Sequence, residues 1–186
     1  MKQYYWDEVS EQIGNILKSV FTHEMKICEV GFGGGHFLEW LNEMGYTKIA
    51  GIEIRQDQYN MTLENFKDKE LSIDLRCGDV LNCTERFDGI YATGLIQCLD
   101  RENRRRFLTH ISQMADLAVF TVPEIKENRN LESKKQVAVE GCREFTTGNI
   151  PYELSLYYDR VRVGKIKTCI DDDFIYYVCY KEKVYN

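Results

Sequence analysis

The sequence predicts an α/β protein built on a doubly wound, mostly parallel seven-stranded sheet that ends in an antiparallel C-terminal hairpin. Three observations predict it. Between Lys26 and Pro123, short apolar segments alternate with stretches whose apolar residues recur at helical spacing. A glycine cluster, Gly31 to Gly35, joins the first apolar segment to the stretch that follows it. Two long extended segments lie close together near the C-terminus. Strands alternating with helices require right-handed crossovers, which lay the strands parallel and place helices on both faces.

The elements follow in order. Residues 7–21 carry Val9, Ile13, Ile16, Leu17 and Val20 on one helical stripe, with Asp7 placed to cap the helix. Lys26 to Val30 is apolar enough for a buried strand, and the glycines end it sharply. From His36, the residues Phe37, Leu38, Leu41 and Met44 trace a helix, and Gly45 sits where a C-terminal cap is wanted. Lys48 to Glu53 is the second strand, and Gln56 to Phe66 a helix with Tyr59, Leu63 and Phe66 inward. Leu71 to Arg76 is the third strand, Phe87 to Ala92 the fourth, Arg101 to Ala115 a helix, and Asp116 to Val122 the fifth strand, closed by Pro123. Glu124 to Val139 is charged and weakly patterned, a long loop or irregular helix. A last helix over Asn149 to Asp159 precedes strands at Val161 to Ile170 and Phe174 to Lys183, with Asp171 to Asp173 as the turn. The expected organisation is one domain, 1–186, with a core at 26–123 and the C-terminal helix and hairpin at 149–183.

Composition narrows the partners. A chain of 186 residues with 44% hydrophobic positions buries one substantial core. The net charge of -6 makes nucleic acid an unlikely main partner, because binding its phosphates requires clustered cations. The one dense basic run, Arg104 to Arg106, falls on a helix whose solvated face accounts for it. No apolar run serves as a signal-peptide core or membrane span, so the expectation is a cytoplasmic protein with no membrane partner. Seven cysteines without C-x-x-C or zinc-finger spacing predict no metal site, and Cys28, Cys98 and Cys179 inside apolar segments read as buried, reduced thiols. Apolar and aromatic residues in Phe174 to Val178 could equally serve the core or the edge of a homodimer.

The residues that carry chemistry begin with Glu29-Val-Gly-Phe-Gly-Gly-Gly35, placed between a predicted strand and a helix. Gly31, Gly33 and Gly35 can take positive φ and let a ligand approach the backbone, beside a helix N-terminus with unpaired N–H groups. This segment resembles the first motif of the class I, Rossmann-like methyltransferases that use S-adenosylmethionine: an acidic residue, an apolar residue, then Gly-x-Gly-x-Gly. The resemblance implies a seven-stranded methyltransferase fold with S-adenosylmethionine as cofactor. It assigns Glu29 to the methionyl amino group, where a carboxylate near an ammonium and a sulfonium is favourable. It assigns Glu53, at the end of the second strand, to the ribose hydroxyls, and Asp79, in Arg76-Cys-Gly-Asp-Val80, to the adenine amino group, with Ile54 and Val80 as apolar walls around the ring. Phe87-Asp-Gly-Ile-Tyr-Ala-Thr-Gly-Leu-Ile-Gln-Cys-Leu99 resembles the family's fourth strand and following loop. Thr93 and Gly94 then border the methionine portion, and Gln97 is the best polar candidate to face the substrate. Cys98 stands where many relatives carry histidine, a departure that removes histidine chemistry from that position.

Candidate bases are scarce. Of three histidines only His36 lies beside the glycine loop, where a helix-start role competes with a catalytic one, and Glu124 follows the fifth strand at the edge suited to substrate contact. Tyr4, Tyr5 and Trp6 are candidates for an aromatic lid or for anchors of the first helix. The expected function is methyl transfer to a small-molecule acceptor, since the chain carries little beyond a catalytic core. Two rivals stand beside it. An NAD-dependent oxidoreductase needs a third glycine that His36 or Leu38 replaces here, and a non-catalytic cofactor-binding or partner module needs no base.

Overall fold

The computed structural model describes residues 2–123, 150–167 and 173–182, with side chains in the first helix from Val9 onward. Helix α1 (Lys2–Val20) precedes strand β1 (Ile27–Val30), helix α2 (His36–Glu43), strand β2 (Ile49–Glu53), helix α3 (Gln56–Phe66) and strand β3 (Ile73–Cys77). Strand β4 (Gly89–Thr93), helix α4 (Arg101–Met114) and strand β5 (Leu117–Pro123) complete the alternation. Helix α5 (Ile150–Ser155) leads to strands β6 (Arg160–Ile166) and β7 (Phe174–Tyr180).

The seven strands lie in the order β3-β2-β1-β4-β5-β7-β6. The first five are parallel, and β7 runs antiparallel between β5 and β6. The chain moves outward from β1 to β3, then returns to lay β4 against the other side of β1. That reversal opens a crevice beyond the carboxyl ends of β1 and β4, where doubly wound sheets hold ligands. On one face Cys28, Val30, Ile52, Ile90 and Phe120 pack against Phe107, Leu108 and Ile111 of α4 and Ile150 and Leu154 of α5. On the other, Ile27, Ile49, Tyr91 and Val119 pack against Val9, Ile13 and Leu17 of α1 and Leu38 and Leu41 of α2. Because β1 is covered on both faces, all four of its residues are buried, the charged Glu29 included.

Several boundaries differ from the sequence reading. Helix α1 starts at Lys2, so Asp7 is an interior helical residue and not the cap; no glycine or proline between Lys2 and Trp6 stops the helix. The fourth strand begins at Gly89, because the Phe87 N–H donates to Met114 O and the Asp88 carboxylate accepts from the Lys26 N–H, tying both residues to neighbouring loops. Leu63 is 43% exposed, and Thr62 takes the inward place on α3. Met44 is also exposed, since the helix ends there: the Gly45 N–H donates to Asn42 O and the Tyr46 N–H to Leu41 O, a Schellman cap with Gly45 at positive φ, as expected. Cys28 and Cys179 are buried free thiols, but Cys98 is exposed in a short 3₁₀ turn. The last helix stops at Ser155 instead of Asp159, and β6 starts one residue early at Arg160, with residues 168–170 of the expected strand outside the described residues. The stretch from Glu124 to Val139 and the turn at Asp171 and Asp172 lie outside the described residues. No described helix is long and apolar enough to cross a membrane.

Candidate active site

The glycine loop is built from both directions. Gly31, Gly33 and Gly35 all adopt positive φ, at 74°, 52° and 77°. The Gly31 N–H donates to Ile52 O at 2.8 Å and ties the loop to the end of β2. From the other side α3 supports it: Thr62 Oγ1 donates to Gly33 O at 2.6 Å. A Cβ on Gly35 would sit 2.6 Å from Thr62 Cγ2 and 2.7 Å from Phe66 Cζ, so this position excludes a side chain sterically as well as conformationally. Thr62 was not legible as a site residue, because Leu63 satisfies the same helical spacing.

Three acidic side chains sit at the carboxyl ends of adjacent strands. Glu53 is 5% exposed; its Oε2 accepts from the Gly33 N–H and its Oε1 from the Arg55 N–H, both at 2.9 Å. These bonds fix the carboxylate against the loop and leave each oxygen a second lone pair. Asp79 caps a 3₁₀ turn by accepting from the Leu81 N–H at 2.9 Å through Oδ1. Glu29 is 1% exposed, and Tyr91 Oη donates to its Oε2 at 3.0 Å. Burial pushes the Glu29 carboxyl up to about 8, opposed by hydrogen bonding from Tyr91 and then Thr93, with the nearby Glu53 charge adding to the rise. Tyr91 is a second residue the sequence reading missed. The available signal was its place on β4, directly beside Glu29 of β1.

The remaining candidates divide. Ile54 is 65% exposed beside the Glu53 carboxylate, while Val80 is buried. Thr93 ends β4 on the same face as Glu29 and Tyr91, and the Gly94 N–H donates to Thr121 O at 3.0 Å, with φ of 63°. Gln97 Oε1 is buried and meets no hydrogen-bond donor among the described residues. Leu95, two residues before Gln97, lays its side chain over Gly31, so this turn borders the loop. His36 is exposed at the first turn of α2, stacked edge-on with Phe37. Glu124 lies outside the described residues, as do the side chains of Tyr4, Tyr5 and Trp6.

These residues fit S-adenosylmethionine. The space over the loop is open, since a Cβ on Gly33 would meet nothing nearer than Gln58 Oε1 at 3.8 Å. An exposed apolar side chain, Ile54, flanks a carboxylate with spare acceptor capacity, and a buried carboxyl, Glu29, faces no cationic side chain among the described residues.

Comparison with known proteins finds methyltransferases. Residues 27–116, just under half of the chain, match a family model described as a methyltransferase domain. No curated protein matches the chain in sequence. Among solved structures, the methyltransferase domain of bacterial CtHen1 is 15% identical, with a TM-score of 0.74 over 94% of this chain and 98% of that one. Magnesium protoporphyrin IX methyltransferase from Synechocystis PCC 6803, solved with bound S-adenosylhomocysteine, is 13% identical, with a TM-score of 0.71 over 92% of this chain and 82% of that one. Phosphoethanolamine N-methyltransferase 2 from Haemonchus contortus is 12% identical, with a TM-score of 0.75 over 93% of this chain and 53% of that one. At these identities the structural likeness shows the fold, and the family match covers residues 27–116. Residues 27–116 thus match a methyltransferase domain, and the described residues share the fold of these methyltransferases.

Proposed function

We propose that the crevice at the carboxyl ends of β1 to β4 holds S-adenosylmethionine through the residues described, and that the chain methylates a small molecule. In this reading Glu53 accepts from the ribose hydroxyls, Asp79 from the adenine amino group, and Ile54 and Val80 enclose the ring. Gly31, Gly33, Gly35 and Gly94 supply backbone the ligand can approach closely, and Glu29 with Thr93 receives the methionyl end. The bound sulfonium supplies an electrophilic methyl group, so the protein's task is to place the acceptor in line and exclude water.

The observation that carries the acceptor reading is Gln97 Oε1, a buried carbonyl oxygen with no donor among the described residues. An orphaned buried acceptor is costly unless a ligand supplies the donor. The acceptor atom is therefore a nitrogen or oxygen that offers a hydrogen to Gln97 as it approaches. Charge supports a small molecule over nucleic acid: the net charge is -6, and Arg104 of the basic run is engaged within the fold by Glu153. The test is transfer of a radiolabelled methyl group from S-adenosylmethionine to a panel of small amines, phenols and alcohols, with structured RNA alongside. Label is expected on a small molecule, and Gln97→Leu should lower turnover while leaving S-adenosylmethionine affinity intact. Label on RNA alone, or full turnover by the variant, contradicts this reading.

A further inference from the structure

We propose that Tyr91 is a positioning residue for cofactor capture: its phenol fixes the Glu29 carboxyl at the tip of β1 so that the opposite oxygen meets the methionyl ammonium of S-adenosylmethionine. The inference rests on the assignment of Glu29 to that ammonium. Glu29 and Tyr91 are partners in the register of the parallel pair β1 and β4, which puts both side chains on one face of the sheet. The Tyr91 ring is wholly buried and tilts against Phe21 with centroids 6.1 Å apart, so the core sets its direction and the hydroxyl is its one polar handle. That hydroxyl lies 3.0 Å from Glu29 Oε2.

The groups facing this carboxyl are the hydroxyls of Tyr91 and Thr93 from β4 and the Glu53 carboxylate from β2, and the Cys28 thiol is its neighbour on β1. All are neutral or anionic. In such surroundings the carboxyl holds its proton near neutral pH, and an arriving ammonium favours the ionised form. The carboxyl O–H bond then breaks, the proton passes to water, and the phenol keeps its own hydrogen while donating to the new carboxylate. A donor to the ionised form lowers the cost of that ionisation. Tyr91 therefore acts on cofactor affinity through Glu29 without touching the cofactor.

The test is calorimetric affinity between about pH 6 and pH 9, the range that brackets the Glu29 ionisation. The probes are S-adenosylhomocysteine, which carries the amino group, and 5′-methylthioadenosine, which lacks the whole amino-acid portion. Taking the ratio of variant to wild-type affinity cancels the ligand's own ionisation. At about pH 7, Tyr91→Phe should bind S-adenosylhomocysteine roughly 10-fold more weakly, with the deficit shrinking as pH rises and no deficit for 5′-methylthioadenosine. In Glu29→Gln the further change Tyr91→Phe should cost nothing more. Should Tyr91→Phe fold poorly, 3-fluorotyrosine at position 91, a stronger donor of nearly the same shape, should move the deficit in the opposite direction. A deficit that is constant with pH, or equal for both probes, marks a merely structural role and overturns the proposal. Wild-type protein that binds neither probe overturns the cofactor site itself, whereas binding of both with no effect of Tyr91 overturns only this inference.

Discussion

At the scale of single residues, the site depends on groups that are sterically or electrostatically committed before any ligand arrives. Gly35 shows the first kind. Its φ of 77° and the 2.6 Å approach of Thr62 Cγ2 to a virtual Cβ combine conformational strain with a clash against a packed helix. Gly35→Ala should lower unfolding free energy by about 2–4 kcal/mol in a denaturant titration, more than the ordinary cost of alanine at positive φ. Glu29 shows the second kind. Its folded value of about 8 lies above the ordinary 4.5, so the folded state binds its proton more tightly than the unfolded chain does. The stabilisation this gives is fully present below about 4.5 and is lost as pH rises through about 8. Cofactor-free protein should therefore lose a few kcal/mol from this carboxyl between about pH 5 and pH 9, and Glu29→Gln should flatten that part of the profile in urea unfolding.

At the scale of elements, the basic run on α4 has a structural use that its composition did not reveal. Arg104 grips Glu153 of α5 with two contacts, Nε to Oε2 at 2.6 Å and Nη2 to Oε1 at 3.0 Å, and also donates to Leu99 O at 3.1 Å. With the Arg104 side chain 13% exposed, this pair is shielded enough to count in stability. Arg104→Ala should destabilise by about 1–2 kcal/mol, while Arg105→Ala on the exposed side of the same helix should change little, as thermal unfolding would show. A solvated helical face was the simpler reading of three adjacent arginines, because the partner is supplied by a helix 49 positions away in sequence. The same limit applies to α3. Helical spacing admits either Leu63 or Thr62 as the inward residue, and the tertiary bond from Thr62 to Gly33 decides between them. Strand existence and order of elements were legible from apolar runs and glycines, whereas the ends of α1 and β4 depended on capping and on long-range bonds such as Lys26 to Asp88.

At the scale of the whole molecule, the sheet order β3-β2-β1-β4-β5-β7-β6 converts a linear string of motifs into one crevice. Each motif ends a strand, and neighbouring strands place their ends side by side, so Glu29, Glu53, Asp79 and Thr93 converge although they lie far apart in sequence. This is why the proposed cofactor half of the site has a sequence signature: its candidate residues stand at or just beyond strand ends that apolar runs and glycines mark. The acceptor half has none, because its candidates sit on turns and on the segment after β5, where identity follows the ligand and not the fold. Tyr91 escaped notice for a third reason, that its use appears only once β4 is paired beside β1.

The central claim is that this convergence is a cofactor site with Glu53 at its centre, and calorimetric titration of ligand-free protein with S-adenosylmethionine tests it most directly, on wild type and on Glu53→Ala. Saturable binding by the wild type, weakened on the order of 10- to 100-fold in a folded variant, is the predicted result. Equal affinity in the two proteins, or no saturable binding by folded wild type, would contradict it.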